Sequence, residues 1–154
     1  MEVKLVMIRA GCLILGLWMS WIMPAQAVPT LTTTPNANAS QLDLDGEGSA
    51  STHVVKVADI GISTDSPSGL TLTISSGDID RLDGQPIPFQ VTTVANNASP
   101  PTSGDFSTPS GNDYTYATGA AGTENRDVYI RYTPLPFQDP GSYAGPIDLS
   151  VTDN

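Results

Sequence analysis

The chain is poor in the residue types that catalytic and metal sites commonly use. Its 154 residues include one cysteine, Cys12, and one histidine, His53. A single thiol forms no intrachain disulfide, and a single imidazole excludes a metal cage built from several histidines. A serine triad would need His53 as its base, and no G-x-S-x-G elbow accompanies it. The sequence therefore predicts a protein that is not an enzyme, with His53 solvated or locally hydrogen-bonded.

Basic residues are also scarce. Six lysines and arginines stand against sixteen aspartates and glutamates, for a formal net charge of −10. Such a surface repels phosphate backbones. We therefore expect no nucleic-acid partner.

The first 27 residues have the three parts of a secretory signal peptide. Lys4 and Arg9 precede an uncharged apolar run over residues 10–23, and Ala25-Gln26-Ala27 forms an A-x-A cleavage signal. The apolar run is too short to span a bilayer comfortably. We expect cleavage before Val28, which also removes Cys12. The mature chain is then secreted, periplasmic or on the cell surface, and is not inserted in the membrane.

Alternation of apolar and polar residues dominates the chain after residue 28. Residues 70–75 (LTLTIS) follow the period of two that is typical of a half-buried strand. No window shows the 3.6-residue period of a helix. The sequence therefore predicts an all-β protein: one Ig-like antiparallel β-sandwich of about seven short strands. The other strands are predicted at residues 55–62, 87–91, 128–132 and 143–151, with weaker candidates at Leu31, Leu42/Leu44 and Tyr114/Tyr116.

The same alternation predicts which residues face the core. Thr71, Thr73, Arg131 and Asp148 should face outward, with the opposite set buried. That set is Leu70, Leu72, Ile74, Phe89, Val91, Val128, Ile130, Leu149 and Val151. Val55 and Val57 share one phase of the alternation, whereas Ile60 and Ile62 share the other. This slip predicts a β-bulge near residues 58–59, or two short strands.

One long segment interrupts the strand pattern. Residues 96–113 (NNASPPTSGDFSTPSGND) are rich in turn formers and contain one large apolar residue, Phe106. Loops of this length inside a domain are uncommon and are often functional. Two interpretations stand: a tolerated surface insertion, or a binding loop. Phe106 either pins the loop to the domain or is exposed to a partner.

Two acidic turns have the composition of a calcium site. Calcium binds about six to eight oxygen ligands, which clustered aspartates beside a glycine turn can supply in part. Neither turn has the D-x-[DN]-x-[DN]-G spacing, and aspartate and glycine are also common in ordinary turns. The candidate ligands are Asp43, Asp45 and Glu47 in the first turn and Asp78, Asp80 and Asp83 in the second.

Three stretches resemble exported bacterial pilin-type subunits of the spore-coat-U and chaperone–usher kind. They are GLTLTISSGDIDRLDGQPIPFQV (69–91), ENRDVYIRYTP (124–134) and DPGSYAGPIDLSVTDN (139–154). The last resembles that family's final strand, G-x-Y-x-G-x-I-x-L-x-V. The resemblance implies an exported structural or adhesive cell-surface protein, fimbrial-subunit-like, with like subunits or a periplasmic chaperone as partners.

The start of the mature chain differs from that family. Residues 28–35 are short, threonine-rich and bracketed by Pro29 and Pro35, whereas such subunits carry a donor strand of alternating apolar residues. We therefore favour a self-complete sandwich. The alternative is an open groove beside the last strand, in which Tyr143, Ile147, Leu149 and Val151 would contact a partner. A second function is a secreted binding module that recognises calcium or glycan through the acidic turns and the 96–113 loop.

Overall fold

The computed structural model describes residues 28–45, 50–139 and 141–154 of the chain. The predicted signal peptide and Glu47 lie outside these residues. Within them the protein is an all-β sandwich of two antiparallel sheets, as the alternation predicts. The strands are β1 (Thr30–Pro35), β2 (His53–Thr64), β3 (Leu70–Ile74), β4 (Asp78–Ile79), β5 (Ile87–Ala95), β6 (Tyr114–Ala117), β7 (Gly122–Tyr132) and β8 (Leu149–Asp153).

The two sheets differ in size. One has five strands in the order β1-β2-β7-β5-β4, and the other has three in the order β6-β3-β8. Residues 70–80 connect them, since β3 belongs to the small sheet and β4 to the edge of the large one. The long β2–β7 pair, with Ser63 opposite Thr123 and His53 opposite Tyr132, forms the centre of the large sheet.

The core lies between the sheets and consists of the residues that alternation selects. Leu70, Leu72 and Ile74 are at most 1% exposed, and the threonines between them are only half-buried. Phe89, Val91, Val128 and Ile130 are buried as well, so the predicted register is correct. The prediction is wrong for Leu149 and Val151, which pack against the core but remain partly exposed. They lie on β8 at the edge of the small sheet, where no further strand covers them.

The irregularity in β2 is a bulge, as the phase slip predicts. The pairing of β2 with β7 shifts register between Lys56 and Ala58, while the strand runs on without a break. The extra residue is Val57, one position before the predicted pair. Both halves of the strand can therefore turn their apolar side chains to one core.

Two predicted strands differ from the structure. The last strand begins at Leu149 rather than at residue 143, and Ala144 makes only an isolated bridge to Asp80. Gly145 and Pro146 explain the interruption, because proline cannot donate a ladder hydrogen bond and glycine weakens a strand. Leu42 and Leu44 lie in irregular chain, although both pack against the core.

The 96–113 loop is attached to the domain. Phe106 is 5% exposed, which settles its role as an anchor. The side-chain amide of Gln90 donates to the carbonyl oxygens of Phe106 and Thr108. A short 3₁₀ turn at Ser103–Asp105 is closed by Thr102, whose backbone N–H and hydroxyl both donate to the Asp105 carboxylate. These contacts favour an ordered surface insertion.

An ion-pair network joins the bulge of β2 to β7. Lys56 Nζ lies 2.6 Å from Asp59 Oδ1 and 3.1 Å from Asp127 Oδ1. The Asp127 side chain is 3% exposed. Its Oδ2 accepts the Asn97 N–H, whereas its Oδ1 has no well-aligned hydrogen bond. The ammonium of Lys56 is therefore the main compensation for the charge on Oδ1.

Truncating a core side chain to alanine should destabilise the fold more on a central strand than on an edge strand. We expect Leu72→Ala to lower the free energy of unfolding by about 2–5 kcal/mol, because the side chain is fully buried. Val151→Ala should cost less, since Val151, directly opposite Leu72, is partly exposed. Urea unfolding of both variants tests this, and equal losses would contradict the assigned edge.

Removal of the Lys56 charge should destabilise the fold. Lys56→Met leaves the buried Asp127 carboxylate without its cation, at a cost of about 3 kcal/mol. Thr71→Met, at a half-buried position with no charge to compensate, is the control. A Lys56→Met variant as stable as the wild type would show that the pair contributes nothing.

The same network should have a defined pH window. The hydrogen bond from Lys56 lowers the pKa of Asp59, and the hydrogen bond to Asp59 raises the pKa of Lys56 above its usual value of 10.5. Stability from Asp59 is present above the usual aspartate pKa and is lost as pH falls through the lowered one. Stability from Lys56 is lost as pH rises through its raised pKa. Urea midpoints from acid to alkaline pH should show both losses, and Lys56→Met should weaken the alkaline one.

Candidate functional site

One cavity of the sandwich lies between residues near the beginning and near the end of the described chain. After β1, residues 36–45, here called the strap, leave the large sheet through a single 3₁₀ turn at Ala37–Ser40. The Asn36 side chain starts this turn by accepting the Asn38 N–H. Opposite the strap runs the C-terminal segment, residues 141–153. A cavity of about 250 Å³ separates the two.

The floor of this cavity is the hydrophobic core itself. Val57, Phe89 and Ile130, all at most 6% exposed, contribute to its lining together with Ile79. Ala39 and Leu42 of the strap form one wall, and the other wall is Tyr143, Ala144, Gly145 and Ile147 of the C-terminal segment. The gap between the strap and the C-terminal segment, here called the seam, therefore opens directly onto the core.

Apolar residues on both sides of the seam are half-buried. Leu149 pairs with Ile74 and Val151 with Leu72, so their side chains share the inward face of the small sheet. Each nevertheless keeps part of its surface exposed, whereas Leu72 and Ile74 have none. The full set of half-buried apolar residues along the first and last segments is Leu31, Leu42, Leu44, Tyr143, Ile147, Leu149 and Val151.

The C-terminal segment also has an open backbone edge. Ala144 exchanges backbone hydrogen bonds with Asp80, and the carbonyl of Asp148 accepts the Ser75 N–H. Gly145 and Ile147, which lie in irregular chain between these two contacts, make no backbone–backbone hydrogen bond with other described residues.

A glycine allows this segment to approach β4 closely. A Cβ at position 145 would lie 2.7 Å from the Asp78 carbonyl oxygen and 3.2 Å from the Ile79 Cα. Both are backbone atoms, which cannot move aside as a flexible side chain would. Gly145 thus sets the distance between the C-terminal segment and the edge of the large sheet.

The strap is held over the core by its last residues. The Tyr132 hydroxyl donates to the Asp43 carbonyl oxygen at 3.0 Å. His53 Nε2 lies 2.8 Å from Asp45 Oδ1, and the imidazole stacks on the Tyr132 ring with centroids 5.2 Å apart. Asp45 adopts a left-handed conformation, φ 63°, and its Oδ2 accepts the Ser51 N–H. Residues 43–45 are thereby connected to both β2 and β7.

The environment of Tyr132 changes its acidity. Burial raises its pKa to about 12, although the hydrogen bond to Asp43 acts in the opposite direction. The phenol is the only side-chain polar group of Tyr132, and it is used to hold the strap. Its titration therefore reports on whether the strap is in place.

Removal of this hydroxyl should loosen the strap. We expect one of the tyrosines to titrate near 12 in an ultraviolet absorbance titration, and Tyr132→Phe should abolish that component. Loss of the hydrogen bond should cost about 1 kcal/mol. Because the folded pKa is raised, stability should fall as pH rises above the ordinary tyrosine pKa. A Tyr132→Phe titration that keeps the component near 12 would contradict the assignment.

The structure brings part of the first acidic turn together. Asp43, Asp45 and His53 each offer a ligand atom, and these atoms all lie within 4.8 Å of one another. Elsewhere in residues 28–45, 50–139 and 141–154, no other group of three such side chains converges in this way. Asp78, Asp80 and Asp83 are exposed and form no such group, and Glu47 lies outside the described residues. Calcium binding at either turn stays a prediction.

Sequence patterns did not indicate every residue of the seam. Ile79 and the pair Leu42/Leu44 lie outside long alternating runs, and His53 and Asp45 are eight residues apart in the sequence. The alternation of Leu42 and Leu44 was the one available signal. Alternation places every second side chain on one face of an extended chain, including a chain that does not pair in a sheet.

The chain matches no protein-family model. No curated protein sequence matches it either. None of the helices in the described part of the chain has the length and apolar character needed to cross a membrane.

Proposed function

We propose that this is an exported, non-enzymatic structural or adhesive cell-surface protein that assembles through its seam. The partner is an extended apolar strand of another protein, a like subunit or a periplasmic chaperone. It would add to the edge of the C-terminal segment and place side chains in the cavity. The observation that carries this proposal is the cavity whose floor is Val57, Phe89 and Ile130.

The size and lining of the cavity favour a strand over a small ligand. At about 250 Å³ it is below the roughly 300–1,000 Å³ of most small-molecule sites. An apolar cavity of about 150 Å³ already accommodates a benzene ring. The seam cavity can therefore take one or two apolar side chains, as an inserted strand would supply.

The backbone edge supports the same mode of binding. Strand addition obtains its affinity from main-chain hydrogen bonds and its specificity from pockets for alternate side chains. Gly145 and Ile147, which make no backbone–backbone hydrogen bond with other described residues, would supply the edge, and the cavity beside them would supply the pocket. Both elements of the recognition mode thus occur on one segment.

Exposed apolar residues continue beyond the cavity. Tyr143, which lines it, hydrogen-bonds to Gln138 and to the Asp139 carbonyl, so the 135–139 turn adjoins the seam. Phe137 in this turn is 80% exposed and Leu135 is 44% exposed. Large apolar side chains are costly to leave in water, and such exposure is typical of an interaction surface.

The sequence resemblance to pilin-type subunits agrees with this surface. Residues 139–154, one of the three similar stretches, include the C-terminal segment. In the described chain β1 is paired with β2 of its own domain, with Leu31 opposite Ile62. Since β1 is already paired, we propose that the added strand comes from another molecule.

The test compares the assembly of native exported protein with that of seam variants. We expect light scattering after size-exclusion chromatography, and electron microscopy, to show oligomers or fibres. Ile147→Asp should convert them to monomers, because it places a charge at the cavity wall. Ser150→Asp, on the exposed face of β8, is the matched control and should assemble as the wild type does.

Circular dichroism distinguishes loss of assembly from loss of folding. A folded, monomeric Ile147→Asp variant supports the proposal. If the wild-type protein stays monomeric at all concentrations and copurifies with no chaperone, the proposal is wrong. If both aspartate variants assemble normally, the seam is not the interface.

A further inference from the structure

We propose that His53, Asp45 and Asp43 form a binding site for a divalent transition-metal ion such as Zn²⁺. This site does not depend on the proposed assembly function. The three side chains come from the strap and from the first residue of β2. Their potential ligand atoms, one imidazole nitrogen and two carboxylate oxygens, all lie within 4.8 Å of one another.

The distances fit a single ion after a small side-chain adjustment. Zinc binds nitrogen and oxygen ligands at about 2.0–2.2 Å, so two ligands of a tetrahedral site are about 3.4 Å apart. The His53 Nε2–Asp45 Oδ1 distance of 2.8 Å is that of a hydrogen-bonded pair, and an ion taking the place of the shared proton would move the two atoms apart by about 0.6 Å. A carboxylate oxygen of Asp43, which is exposed, lies within 4.8 Å of a ligand atom of each of the other two residues and would have to move closer to complete the site.

Neighbouring groups hold the three ligand residues in position. Tyr132 stacks on the imidazole of His53 and also donates its hydroxyl to the Asp43 carbonyl. The Ser51 N–H holds Oδ2 of Asp45, which leaves Oδ1 on the side of His53. Orientation of ligands by such outer contacts is what metal sites require.

The imidazole decides the class of metal. Calcium and magnesium prefer oxygen ligands throughout. Imidazole combined with carboxylates suits zinc, copper and nickel, with copper the tightest of the series. Three protein ligands leave at least one coordination position for water. The first acidic turn thus favours a transition metal over the calcium that its composition alone predicts.

Metal binding would connect the strap to β2. Asp43 and Asp45 follow directly on Leu42 and Leu44, which pack against the core. An ion shared with His53 would hold this part of the chain in place and stabilise only the folded state. We therefore expect a rise in melting temperature that grows with metal concentration.

The experiment titrates ZnCl₂ into tag-free exported protein after removal of metals with chelator. Isothermal titration calorimetry should give one zinc ion per chain, and the melting temperature should rise with zinc and return to its starting value with EDTA. CaCl₂ at the same concentration should have no effect. His53→Gln and Asp45→Asn should each weaken zinc binding by about tenfold or more.

Asp83→Asn is the matched control, because it removes one carboxylate from the other acidic turn, and its zinc affinity should equal that of the wild type. Circular dichroism of the metal-free variants checks that they fold, and Asp43→Asn provides a further test at an exposed position. Zinc affinity that is unchanged in both His53→Gln and Asp43→Asn would overturn the proposal. So would calcium binding that exceeds zinc binding, or no zinc binding at all.

Discussion

The large sheet has five strands and the small sheet has three, so the small sheet leaves part of the large sheet's inner face uncovered. The rest of the structure depends on how that part is buried. The inner face of the large sheet carries Val57, Phe89 and Ile130, which need apolar contact beyond what β6, β3 and β8 provide. Irregular chain supplies it: the strap on one side and residues 141–148 on the other. Two irregular segments do not interlock as two strands would, because neither offers a continuous ladder. The seam is the consequence of this mismatch.

Much of the sandwich could be predicted from the sequence because burial on one face imposes a period of two. Residues 70–74 alternate without error, and the structure buries Leu70, Leu72 and Ile74 accordingly. The bulge of β2 was visible for the same reason, since a change of phase in a strand that keeps one core requires an extra residue. Central strands are therefore well determined by local pattern.

The ends of strands and the residues of candidate sites are harder to predict from alternation. The alternation at Tyr143–Val151 marks the inward face correctly, but it does not reveal where pairing stops, which Gly145 and Pro146 decide through local geometry. The convergence of His53 with Asp43 and Asp45 depends on how the strap crosses Tyr132. Composition drew attention to the two aspartates but could not show that an imidazole lies beside them. Contacts between distant segments leave no periodic signal.

The position of β8 in the chain has a consequence for folding. β8 pairs with β3, from which it is separated by four other strands in the chain. Until β8 docks, one edge of β3 is unpaired, and β3 and β6 alone do not bury Leu72 and Ile74. Pairings between sequence-distant strands are slow and leave apolar surface open to aggregation. Docking of β8 on β3 is therefore expected to be a slow step in folding, and the interval before it is when the apolar side chains of β3 are most open to aggregation.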